Sequence, residues 1–98
     1  MLFMCRGQAK PGLTAEDRQK VVQIFRGFAP PAGMQIQAHY VDTNGGDYVV
    51  VETSSAEALL EATAVWAPYI EYTVTPIMPA PVAVERIQSA EQTRQQLL

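Results

Sequence analysis

The hydrophobic period of this chain switches back and forth between two residues and about 3.6, and the order of those switches restricts the fold more than any other feature. Residues 2–9 alternate weakly and read as a strand, closed by the turn Lys10-Pro11-Gly12. From Thr14 the period becomes helical: Val21, Ile24, Phe25 and Phe28 form one stripe. The Thr14 hydroxyl can cap the first turn near Asp17, and Glu16 can pair with Lys20. Ala29-Pro30-Pro31-Ala32-Gly33 then stops the helix, because proline brings no donor and restricts the residue before it.

Alternation returns from Met34 to Val41, and Asp42 to Asp47 carries the hairpin signal Asn44-Gly45. The next strand, Tyr48 to Thr53, holds Val49-Val50-Val51 and suits a central position. Ser54 and Glu57 have capping-box spacing, and the helix after them puts Ala56, Leu59, Leu60, Thr63, Trp66 and Ala67 on one face until Pro68. Residues 70–77 alternate once more. This β-α-β-β-α-β order predicts an α+β, ferredoxin-like antiparallel sheet, with strands in the spatial order fourth, first, third, second. Right-handed crossovers put both helices on one face. Residues 1–78 form that unit. Residues 79–98 follow a proline break as a C-terminal helical tail, whose narrow stripe of Ala83, Ile87 and Ala90 is interrupted at Arg94. Such a tail should lie on something else.

Strict alternation assigns Phe3, Cys5, Ile36, Ala38, Tyr40, Val49, Val51, Ile70, Tyr72 and Val74 to the face the helices cover. Met4, Arg6, Gln37, His39, Tyr48, Val50, Glu52, Thr73 and Thr75 fall on the other. That second set is mixed, and Met4, Tyr48 and Val50 are poorly served by bulk water. A second copy stacked against this face would cover them, so the chain is expected to be a homodimer. Met4 and the polar remainder, Arg6, Gln37, His39, Glu52 and Thr73, could then line a pocket for a small organic ligand between the sheets.

Composition narrows the partners. The net charge is −3, without a basic run, which disfavours nucleic acid and anionic membrane surfaces. No apolar run is long enough for a membrane span, and the apolar start is too short for a signal peptide. The single cysteine, Cys5, can form no intrachain disulfide, and a cytoplasmic location is expected.

Met1-Leu2-Phe3-Met4, Ala29-Pro30-Pro31-Ala32-Gly33, Val50-Val51-Glu52-Thr53 with the capped helix that carries Trp66, and Tyr72-Thr73-Val74-Thr75-Pro76-Ile77 together resemble an uncharacterised bacterial family, a domain of unknown function. The resemblance covers residues 1–78. That family looks related to the dimeric α+β barrels, which include muconolactone isomerases and small antibiotic-biosynthesis-type monooxygenases. The resemblance implies a subunit whose sheet packs on that of a partner. It brings no catalytic motif, and neither activity transfers.

Several residues could carry chemistry. His39, the one histidine, could act as general acid or base in a cavity; otherwise it is a solvated strand side chain. Arg6 and Glu52 could hold a ligand carboxylate, or could form a cross-strand ion pair. Cys5 reads as a small buried residue, and Trp66, Tyr40 and Tyr72 as core aromatics. The spacing of Asp42, Asp47 and Glu52 fits no calcium loop, and Gly45-Gly46 is no phosphate loop, so neither metal nor cofactor is expected. Two functions remain, a small-molecule binder, with or without catalysis, and a non-catalytic dimeric interaction or regulatory module. Fold alone does not choose between them.

Overall fold

The computed structural model describes residues 1–98. Strands β1 (Leu2–Ala9), β2 (Met34–Val41), β3 (Asp47–Thr53) and β4 (Ile70–Ile77) form one antiparallel sheet in the order β2-β3-β1-β4. Helix α1 (Ala15–Gly27) follows β1, α2 (Ala56–Trp66) follows β3, and α3 (Ala80–Leu97) ends the chain. The fold is therefore a small α+β one, a four-stranded antiparallel sheet with three helices.

The local rules behind these elements can be named. Thr14 accepts from the Asp17 N–H at 3.0 Å, and the Asp17 carboxylate accepts from the Thr14 N–H at 3.0 Å, a complete capping box. That arrangement holds the Asp17 carboxyl below the usual carboxylate range. At α2 the cap is Ser55, which accepts from the Ala58 N–H at 3.1 Å, and not the expected Ser54. The Thr53 hydroxyl causes the shift: it accepts from the Ser55 N–H at 3.0 Å and donates to the Gly33 carbonyl at 2.8 Å, which ends β3 one residue before the helix entry bends. Gly45 sits at φ +84° in the hairpin, the left-handed conformation expected of Asn-Gly.

Alternation holds along β1, β3 and β4 but fails within β2. Ile36 pairs with Val51 and Ala38 with Val50, so Gln37 is an extra residue, a β-bulge. Everything after it turns over. Ala38 and Tyr40, expected under the helices, pair with Val50 and Tyr48 and share their face. His39, expected on that outer face, pairs with Val49 and faces the helices with it.

The core is small and lies under α2. Cys5, Met34, Val49, Val51, Ala58 and Ala62 form one buried cluster, with Phe3, Phe28, Leu59 and Tyr72 packed on it. Trp66 is 8% exposed and meets Phe28 edge-on, with ring centroids 5.5 Å apart, as its place on the α2 stripe requires. α1 packs differently: it carries the expected stripe yet buries no residue, and Phe25 is 57% exposed.

α3 projects. It buries nothing, Ala83 alone is half-buried along it, and the expected support is not found within the chain. The molecule measures 59 × 29 × 19 Å, with a radius of gyration of 17.4 Å against roughly 13 Å for a compact chain of this length. No helix is long and apolar enough to cross a membrane. Deleting residues 82–98 should thus leave a cooperative thermal transition, with Tm lowered by less than about 4 °C, the shift expected from a loss near 1 kcal/mol. A larger loss in a calorimetric scan would show that α3 belongs to the core.

Candidate functional site

Because α1 stands off the sheet, a cavity of about 680 Å³ opens between it, α2 and the helix-side face of the sheet. Its size is that of pockets that take small organic ligands. Val21, Val22, Phe25 and Phe28 wall it from α1, Leu59, Ala62 and Trp66 from α2, and Cys5, Ile36, Val41, Val49 and Val51 from the sheet. The lining is mostly apolar, and its polar members are few.

Those polar members form one chain across the sheet. Tyr72 on β4 donates its hydroxyl to Asp47 Oδ2 at 2.6 Å, and His39 Nε2 on β2 bonds Asp47 Oδ1. Two strands, β3 and β1, separate the ends, and the register explains how they meet. Gly7 of β1 lies opposite both Tyr72 and Asp47. A Cβ at Gly7 would stand 2.7 Å from Tyr72 Cε1 and 2.9 Å from Ile70 Cγ2, so a glycine is what lets the ring cross β1 to reach β3. The bulge at Gln37 supplies the other end by turning His39 inward. The His39 side chain is 31% exposed and that of Asp47 14%. The ring of Phe25 on α1 sits edge-on to the imidazole at 5.7 Å, and so ties α1 to the β2 edge.

The electrostatics follow from burial. The Tyr72 phenol is pushed well above its ordinary range, first by burial, then by its hydrogen bond to Asp47 and by that carboxylate's charge. Burial also raises the Cys5 thiol, with Asp47 adding to it, which favours the protonated form. Nε2 is the ring nitrogen of His39 that meets the Asp47 carboxylate. The other ring nitrogen, Nδ1, has no hydrogen-bond partner within the chain.

Of the six residues expected to line a pocket, only His39 borders this cavity. Met4, Arg6, Glu52 and Thr73 lie on the outer face, and the bulged Gln37 donates to Glu52 Oε2 at 3.4 Å. Arg6 and Glu52 share that face without meeting, because Arg6 pairs with Tyr48 and Glu52 with Leu2. The Arg6 guanidinium instead lies over the Tyr48 ring, 5.5 Å from its centroid. Tyr48 in turn donates to Asp42 at 2.9 Å, and Asp42 also accepts from the Asn44 and Gly46 N–H groups. Those bonds hold its carboxyl below the usual range. Arg6, Tyr48 and Asp42 are thus a hairpin brace. Nowhere do three or more His, Cys, Asp or Glu side chains gather as they would around a metal ion.

Asp47 and Tyr72 were assigned other roles by sequence reasoning. One signal pointed to them: an acidic residue opening a strand otherwise rich in valine, two strands from a tyrosine.

The chain predicts its own alkaline behaviour. A phenol held protonated by the fold stabilises it fully below the unfolded value near 10, and that contribution falls away as pH rises beyond it. Tyr72→Phe should cost about 1.5–3 kcal/mol at neutral pH, a hydrogen bond to a charged acceptor. The wild type should lose more stability than the variant between about pH 10 and 11. The two native proteins should show equal tyrosinate absorbance up to about pH 11. A smaller signal in the variant would mean that Tyr72 titrates freely.

No curated protein matches the chain. One family model does, over residues 1–91, a stretch that runs past β4 into α3. On that match the chain belongs to the family described as Domain of unknown function (DUF3303).

Proposed function

We propose that the protein binds a small, largely apolar organic molecule in the cavity between α1, α2 and the sheet. The observation that carries this reading is α1 itself. A helix with an apolar stripe covers an apolar sheet face and yet leaves about 680 Å³ between them. Closing that gap would bury Phe25, now 57% exposed, at roughly 25 cal/mol per Å² of apolar surface removed from water. A bound apolar molecule supplies the same burial without moving the helix.

Naphthalene, followed through the emission of Trp66 in the cavity wall, tests the reading. Saturable binding is expected. Ala62→Phe, which fills the cavity from α2, should weaken it by roughly tenfold or more while thermal unfolding stays cooperative. Linear, non-saturating quenching, or equal binding by the filled variant, would overturn it.

A second reading concerns the outer face, and α3 favours it. Leu2, Met4, Val50 and Ile77 are only half-buried on the sheet, and Val84 and Ile87 are 53% and 62% exposed on α3. We propose that a second copy covers them, giving a homodimer of the dimeric α+β barrel type with ferredoxin-like subunits. Its lone, buried thiol suits a reducing compartment such as the cytoplasm. The interface would reach about 1,600 Å² in total. Light scattering at micromolar concentration should give twice the chain mass of 10.8 kDa, and a mass of 10.8 kDa would reject the dimer.

A further inference from the structure

We infer that the ligand of the helix–sheet cavity carries a zwitterionic head of the α-amino-acid type on its apolar body, with the carboxylate held by Arg18 and the ammonium by Asp47. The inference rests on the binding reading above and adds the chemistry of the recognised group.

The cavity has a side pocket. This second space, of about 130 Å³, shares Val21, Gly45, Asp47 and Ile70 with the first, so the two meet along those walls. Arg18 borders the side pocket and is the one Arg or Lys side chain on the walls of either space. It stands there because it lies three residues before Val21, on the same face of α1. Its Nη1 donates to the Leu13 carbonyl at 3.0 Å, and the guanidinium enters no ion pair of the chain. Most of its N–H donors are therefore unspent. Asp47 stands at the junction of the two spaces. Tyr72 and His39 each bring it one donor, and a carboxylate can accept about four. An unspent cation and an acceptor with capacity left, not bonded to each other, thus border one small space that opens onto apolar walls.

Two complementary groups on one pocket select a head that has both. A lone carboxylate meets Arg18 but sets a second negative charge near Asp47. An alkylammonium meets Asp47 but sets its charge near Arg18. A hydrocarbon fits the apolar walls and uses neither group. An α-amino acid carries ammonium and carboxylate on one carbon, adds no net charge, and offers its two carboxylate oxygens to the guanidinium fork. Arg18 is exposed, so the head stays at the wet end of the site and its charges keep part of their hydration. The body then extends past Val21 and Ile70 into the cavity, where Phe25, Phe28 and Trp66 suit an aromatic side chain.

Probes that share one body test this: naphthalene, naphthylpropionate, naphthylethylammonium and naphthylalanine, which joins the charges of the previous two. Each is titrated by calorimetry at neutral pH and low salt. Naphthylalanine should bind about fivefold tighter than either singly charged probe, the size of one well-placed exposed ion pair. In Arg18→Gln it should fall to within about twofold of naphthylethylammonium, while naphthalene binds as before. Arg18→Glu should put naphthylethylammonium ahead of both probes that carry a carboxylate. The position is exposed, so both variants should unfold near the wild-type Tm. Naphthylpropionate or naphthylethylammonium binding as tightly as naphthylalanine would overturn the inference and leave the cavity reading standing. So would an advantage of naphthylalanine that survives Arg18→Gln, or an order unchanged by Arg18→Glu. Failure of naphthalene and the charged probes alike would overturn the cavity reading beneath it.

Discussion

The extra residue at Gln37 governs which side of the sheet the sole histidine serves. Strand side chains alternate, so one inserted residue exchanges the two faces for everything beyond it. Up to Ile36, β2 presents Met34 and Ile36 to the helices. After the bulge it presents His39 and Val41, while Ala38 and Tyr40 join the outer face. Without the insertion, Tyr40 would lie beneath α1 and His39 would point away from Asp47. The bulged residue has its own anchor, the Glu52 carboxylate that Gln37 contacts from across β3.

The hydrogen-bonded chain from β4 to β2 depends on that turn and on Gly7. An ionised carboxylate that is 14% exposed needs partners, and Asp47 has one for each oxygen. One partner, His39, comes from the hairpin strand β2, and the other, Tyr72, reaches over β1 from β4. The chain therefore locks three strands to one another through side chains as well as backbone. Its members sit where the cavity begins, so the rigid part of the sheet, and not a loop, holds the polar end of the pocket.

Much of the fold was written in local patterns. Thr14 with Asp17, the Asn44-Gly45 turn and the stripes of both helices are short-range features, each readable from spacing, and each formed an element of the expected type. The cap of α2 was misplaced by one residue because Thr53 competes for the same N–H groups through a contact to Gly33, twenty positions away. Gln37 carried no signal at all. It stands in a clean alternation, without the glycine that often marks a bulge, and its cause is the pairing of β2 with β3. The candidate site inherited that error. Strict alternation puts His39 on the outer face with Arg6 and Glu52, whereas the bulge sets it on the helix side beside Asp47, which also accepts from Tyr72.

The two faces of the sheet answer different demands. On the helix side, the gap beneath α1 costs the chain burial that α2 obtains: Ala58, Ala62 and Trp66 are buried, whereas no α1 residue is. A chain of this length has little core to spare, so an open cavity of this size is a liability unless something occupies it. On the outer side, Arg6 lies over Tyr48 and Gln37 donates to Glu52, beside the half-buried Met4 and Val50. A surface that mixes polar groups with half-covered apolar ones suits contact with another protein surface. A mostly apolar cavity with a few polar groups at one end suits a small molecule. The bulge at Gln37 is what puts His39 on the cavity side of the sheet and Tyr40 on the outer side.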